Sequence, residues 1–315
     1  MRVLQSLGGV FVGLLLSGAS ASAVSIDWVS VGDLGNAAAS SGYGAVDHGY
    51  RISNSEVTNA QYAEFLNAVG ASDPNALWVG FMGPSIQRSG IAGSYSYAAV
   101  AGQEDLPVTY VSYYDALRFA NWLHNGQPTG AQGASTTEDG AYTFTGPSSV
   151  GARNVGATIF LTSEDEWIKA GFYDAAMSTY TTRPFADSLN TVTCEAPPGG
   201  TTHSANCGNI LGGPIDVASY LTSPSHYGTF DQHGNVAEWN ESSDVGATQR
   251  PIRGGNYFTA SFVLPTNRTL VSAEAERRNI GFRVAMVPEP GTGLLLLSGL
   301  IGFSAHRRVR CRRSA

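Results

Sequence analysis

Asp231-Gln232-His233-Gly234-Asn235-Val236-Ala237-Glu238-Trp239 sets two carboxylates on either side of a glycine-containing turn. The carbonyls of such a turn can point inward, and calcium takes mixed carboxylate and carbonyl oxygens. In the opposing reading Asp231 and Glu238 cap turns or pair with arginine. Two arginines follow. Arg253-Gly254-Gly255-Asn256-Tyr257 and Ile280-Gly281-Phe282-Arg283-Val284 each hold one in an apolar, glycine-rich setting. A planar guanidinium can grip a substrate carboxylate. Where the backbone is irregular, the expectation is instead a buried arginine bonded to loop carbonyls.

Upstream of this stretch, three helices can be read. Thr58 and Gln61 form a capping box, and Tyr62, Phe65, Leu66 and Val69 then share one helical face. Ser112 with Asp115 opens a second helix, Tyr113 to about His124, striped by Ala116, Phe119, Ala120 and Leu123. Thr162 or Ser163 caps a third. Its first-turn acids, Glu164, Asp165 and Glu166, suit the helix dipole and are expected in solvent. Residues 27–52 look β-rich, Pro107–Val111 reads as a short strand, and Ala141–Thr145 as one strand of a hairpin. Trp122, Trp167 and Trp239 are expected in the core. Trp78, Tyr95 and Tyr97 lie in a Gly/Ser-rich loop and are candidates for a stacking platform for a sugar or peptide. Short helices, much loop and scattered strands predict one irregular α+β domain, not a doubly wound one.

The two ends read differently from the body. Arg2, an apolar stretch from Leu7 to Leu16 and Ala21-Ser22-Ala23 make a signal peptide over residues 1–23, cut after Ala23. At the other end, residues 287–315 run from Pro288-Glu289-Pro290 through an apolar stretch, Gly291 to Ala305, to Arg307, Arg308, Arg310, Arg312 and Arg313. Basic flanks stay cytoplasmic, and the apolar stretch is shorter than the about 20 residues of a full span. This order resembles the PEP-CTERM signal of bacterial envelope proteins. The resemblance implies an exosortase-type enzyme as partner, transient anchoring by the tail, and a body, residues 24–286, in the envelope or extracellular matrix.

The whole chain carries a formal charge of −7. Without its basic ends the body is near −12 and keeps one lysine, Lys169. A nucleic-acid partner is excluded on that balance, because phosphate binding needs a basic surface. Cys194 and Cys207 lie in a Pro/Gly/Thr-rich loop of the body. In an oxidising compartment such a pair is expected to form a disulfide. A thiolate metal site would need more soft ligands than His203 supplies. No Ser-His-Asp arrangement, phosphate loop or zinc motif can be drawn.

In their order, six segments resemble the formylglycine-generating-enzyme, or sulfatase-modifying-factor, family. They are Glu56 to Phe65, Pro107 to Ala116, Leu161 to Trp167, Asp231 to Trp239, Arg253 to Tyr257 and Gly281 to Arg283. The resemblance implies a large variant of the C-type-lectin fold. It also implies a structural calcium held by the side chains of Asp231 and Glu238 and the backbone oxygens of Gly234 and Val236. Catalytic members oxidise a cysteine to formylglycine, using copper held by two cysteines between the last two segments. Here that interval, Phe258 to Ile280, contains no cysteine, so no copper is expected. The resulting reading is an exported protein that binds a glycan or peptide and leans away from enzyme activity. The competing reading is a divergent metal-dependent oxidoreductase that modifies protein side chains. Ligand identity and oligomeric state are not legible in the chain.

Overall fold

The computed structural model describes residues 23–187, 189, 191–242, 248–259 and 264–288. The expected signal peptide, apart from Ala23, lies outside them, as do Glu289, Pro290 and the arginine cluster. Among the described residues no helix is long and apolar enough to cross a membrane.

All three helices form where their caps dictate. α1 (Asn59–Val69) and α2 (Tyr113–His124) each begin with a complete capping box, Thr58 with Gln61 and Ser112 with Asp115. α3 (Glu164–Phe172) begins at Ser163, whose side chain accepts from the Glu166 amide while Glu166 accepts from the Ser163 amide. Each box satisfies two amides that the helix cannot bond internally. The faces of α1 and α2 meet in an aromatic cluster. Phe65 lies edge-on to Phe119 at 5.3 Å, and Phe282 contacts Phe119 at the same distance.

Two four-stranded sheets frame this core. In one, strands Trp28–Val31, Tyr50–Ser53, Val284–Met286 and Ile159–Leu161 lie side by side, all antiparallel, so that both ends of the domain meet. In the other the order is Thr269–Ser272, Gln249–Arg253, Ala237–Trp239 and Ile280–Phe282, the last pair parallel. The remaining pairs are short hairpins and two-residue ladders, so most of the backbone is loop. The irregular single α+β domain is therefore as the pattern of elements implies.

Two local expectations shift. Pro107–Val111 is not a strand. Pro107 makes one isolated bridge to Thr58, and the chain then turns at Tyr110, whose φ is 59°. The hairpin strand near residue 141 forms later, at Phe144–Gly146, pairing with Ser149–Val150. Tyr142 is instead drawn inward, and its hydroxyl accepts from the Leu161 amide. At the start of the body, Gln127 clasps Val24 through both its backbone groups: the Val24 amide donates to Oε1 at 2.6 Å and Nε2 donates to the Val24 carbonyl at 2.9 Å.

Candidate functional site

The turn at 231–239 lies at the centre of a buried ionic cluster. Arg283 is fully buried and forks onto Glu238, Nε to Oε2 at 2.5 Å and Nη2 to Oε1 at 2.7 Å. Trp167 Nε1 donates to the same carboxylate at 2.7 Å. The remaining Arg283 donors reach the carbonyls of Ser53, Asn54 and Phe230. Asp231 accepts from the Ala218 amide at 2.6 Å, and nearby Glu56 accepts from the Asn235 side chain at 3.3 Å. Burial pushes Asp231 up to about 6. Burial, then repulsion from Asp231 and Glu238, drives Glu56 well above the usual carboxylate range. Both carboxyls are therefore pushed toward the protonated form.

In this arrangement Glu238 is held in an ion pair with Arg283. The Glu238 oxygens are both engaged by arginine and indole, and the turn is explained by packing. A Cβ added at Gly234 (φ +90°) would sit 2.2 Å from the Asn206 carbonyl oxygen. Among the described residues, no group of three or more His, Cys, Asp or Glu side chains is arranged to hold a metal ion. Asn235 and Glu56, not singled out from the sequence, carry the cluster. The Asn235 side chain bonds Asn206, Ile215 and Glu56. The signal for Asn235 was its place after a glycine in a tight turn, where asparagine tolerates positive φ.

The acids of α3 are a correction. Glu164 and Glu166 are buried, not solvated. Glu164 accepts from Arg253 Nε at 2.8 Å and is forked by Arg268. Burial alone would raise Glu166, but the Arg153 fork at 2.8 and 2.9 Å overrides it and holds the carboxyl at about 2. Arg253 also donates to the carbonyls of Pro265 and Asn267. The two arginines flagged in the sequence are therefore the buried, carbonyl-bonded kind, each with an added carboxylate.

Trp78, Tyr95 and Tyr97 come together on the Ile86–Ser89/Ser96–Ala99 hairpin, but not as an open platform. Arg88 inserts its guanidinium 4.1 Å from the Trp78 ring and 4.2 Å from the Tyr95 ring. Tyr97 is buried beneath and donates to the Gly70 carbonyl. Cys194 and Cys207 form a disulfide. His203 pairs with Asp187 at 3.0 Å, away from any thiolate role.

An open groove of about 610 Å³ lies elsewhere, lined by Gln103, Tyr110, Gly213, Asp216, Tyr257 and Arg278, among others. Its rim exposes large apolar groups. Phe81, 71 % exposed, stacks on Tyr110 at 5.6 Å. Phe258, 38 % exposed, packs 4.2 Å from Tyr257 with Arg278 over its ring at 4.8 Å. Ile210 and Leu211 are exposed next to Asn209, whose amide bonds the Tyr257 carbonyl.

The family pattern described as the sulfatase-modifying factor enzyme 1-like domain matches residues 34–287. The chain belongs to that family. A second pattern, the PEP-CTERM protein-sorting motif, matches residues 287–308. Among solved structures, this sulfatase-modifying-factor-like domain is similar to Treponema denticola variable protein 1, with a TM-score of 0.55 at 19 % identity, covering 86 % of this chain and 98 % of that one. It is also similar to CarF, with a TM-score of 0.53 at 19 % identity, covering 84 % and 99 %. At that identity the likeness shows the fold. No curated protein matches the chain. Within the family frame, the interval Phe258–Ile280 opens and closes beside the groove, at Phe258 and Arg278. It offers no cysteine, and the two body cysteines are spent on each other.

Proposed function

We propose that this exported domain is a binding module, and that the groove between Tyr110 and Tyr257 takes an apolar segment of a peptide. The observation that carries the reading is the rim. Soluble surfaces rarely leave two phenyl rings and two aliphatic side chains exposed around one polar groove without a partner to cover them. Aromatic anchors at the edge of a concavity supply most of the energy in such contacts, and Arg278 adds a donor for a backbone carbonyl or carboxylate. The PEP-CTERM motif supports export to the envelope and an exosortase-type sorting system as partner. In this reading the tail holds the module at the membrane until it is processed.

The test is a peptide-library selection on the purified exported protein. Phe81→Ala and Phe258→Ala are expected to weaken selected peptides at least tenfold with unchanged melting temperature. Undiminished binding in both variants overturns the groove as the site. A sulfatase-type peptide is expected to stay unconverted with copper present, because the groove lacks a thiolate pair. Turnover that Cys194→Ser abolishes reinstates the oxidoreductase. For sorting, Glu289→Ala is expected to change the mature mass or release in the native host, and identical processing removes the motif's role.

A further inference from the structure

A second concavity, of about 800 Å³, shares no lining residue with the groove. Its walls come from widely separated parts of the chain. Tyr43 rises from the N-terminal loop and Tyr113 from the first residue of α2. Tyr142 and Arg153 flank the small hairpin, Asp165 belongs to the first turn of α3, and Glu241 follows strand Ala237–Trp239. A volume in this range suits a small or oligomeric ligand.

The polar walls are held before any ligand arrives. Arg153 spans Glu166 and Glu241, meeting Glu241 at 2.5 Å, with its guanidinium 3.6 Å from the centre of the Phe160 ring. The Tyr142 hydroxyl donates to Glu241 at 2.5 Å. Asp165 accepts from the Gly44 amide through Oδ1 at 2.8 Å. Glu164 is fixed by Arg253 and Arg268, and the Tyr43 ring lies 4.6 Å from the Arg253 guanidinium. Planar charged groups so fixed cost little entropy to use in binding.

The chemistry of the lining selects its ligand. Glu164 and Glu241 are each matched by arginine, and Arg250 lies 4.9 Å from the Tyr113 ring. The walls therefore present alternating donors and acceptors without a dominant sign of charge, which disfavours a polyanion or polycation. Val150 is the sole aliphatic side chain larger than alanine in the lining; the rest is serine, glycine, alanine, tyrosine and charged groups. A peptide's apolar side chain finds no pocket there. A ligand with many hydroxyls and no charge suits such a surface, because lining serines and tyrosines and the Asp165 carboxylate can pair with hydroxyls while the matched ion pairs leave no net charge to attract an ionic ligand.

We infer that this cleft binds a short segment of a neutral oligosaccharide, independently of the peptide groove. The experiment probes the full exported protein with an array of neutral, sulfated and uronic-acid oligosaccharides. Neutral hits are then titrated at about 0.15 M and about 1 M salt, where screening lengths are roughly 8 and 3 Å. Neutral binders are expected, with affinity changing less than threefold between the two salts. Ala152→Trp, which plugs the mouth from an exposed lining position, is expected to abolish binding. Asp165→Asn is expected to weaken it at least tenfold, and Phe258→Ala in the groove to leave it unchanged. The inference is overturned by an array with no neutral binder, by hits confined to charged glycans and lost at high salt, or by binding that Ala152→Trp leaves intact. Loss on Phe258→Ala with Ala152→Trp neutral moves the saccharide to the groove and also overturns it.

Discussion

At the scale of single residues, the decisive contacts are carboxyls in the interior. Asp231 sits at φ 61° with its carboxyl raised to about 6 by burial, beside a Glu56 raised by burial and by Asp231. Glu238 and Arg283 are the charged neighbours that face the pair. Both acids bind protons more tightly folded than unfolded, so their contribution to stability is complete below the unfolded pKa near 4. It is lost as pH rises toward the folded values. Asp231→Asn keeps the acceptor for the Ala218 amide, tolerates the left-handed backbone and supplies Glu56 with a fixed donor. The variant is expected to melt higher than wild type at pH 8 and to flatten the fall in melting temperature between about pH 4 and 6. An unchanged pH profile removes this linkage. Arg283→Met strands Glu238 in the interior, and a loss of about 3–5 kcal/mol in denaturant titration is expected. Adding Glu238→Leu is expected to recover most of it, since an apolar pair of similar volume replaces the ion pair. Because Glu238 already serves Arg283, chelator and added calcium are expected to leave the melting temperature where it is. A calcium-dependent rise, lost in Asp231→Ala, restores the ion implied by the family.

At the scale of elements, α3 does more than its length suggests. Its nine residues carry a cap and three acids, and two of those acids are structural. Glu166 closes the capping box, anchors Arg153 and meets His48 at 3.2 Å, while Glu164 gathers Arg253 and Arg268 from the second sheet. The helix thus ties both sheets to one side of the saccharide cleft. Ser163→Ala removes one half of the box. A loss of about 1 kcal/mol is expected by chemical denaturation. A neutral result assigns the start of α3 to its arginines alone.

Across the whole molecule, little regular structure must hold a large loop content in place. The sheet that joins both ends of the domain, the buried arginines that bond loop carbonyls, and the disulfide share that task. Cys194 and Cys207 are 13 residues apart and close a loop whose Ala205 and Cys207 pack with Phe185. Replacing both by serine is expected to cost about 3 kcal/mol, the chain-entropy value for a loop near that length. The intact exported body is expected to show no free thiol under non-reducing denaturation. A reactive thiol there, or an unchanged denaturation midpoint, contradicts the structural role of the bridge.

Local chemistry settled what depends on neighbours in sequence. Thr58 with Gln61 and Ser112 with Asp115 specify helix starts, because a capping box is closed within four residues. The motif order from Glu56 to Arg283 marks the family, and the cysteine-free interval Phe258–Ile280 marks the missing thiolates. Tertiary structure decided what depends on partners far along the chain. Glu164 meets Arg253 across 89 positions, and Glu238 meets Arg283 across 45. The space between the Trp78 and Tyr95 rings is filled by Arg88 of strand Ile86–Ser89. The cleft around Arg153 and Glu241 has no signature in sequence, since widely separated segments supply its walls. A one-dimensional pattern records which residues are charged or aromatic. Only packing decides whether a given charge is spent on a buried partner or left to face a ligand.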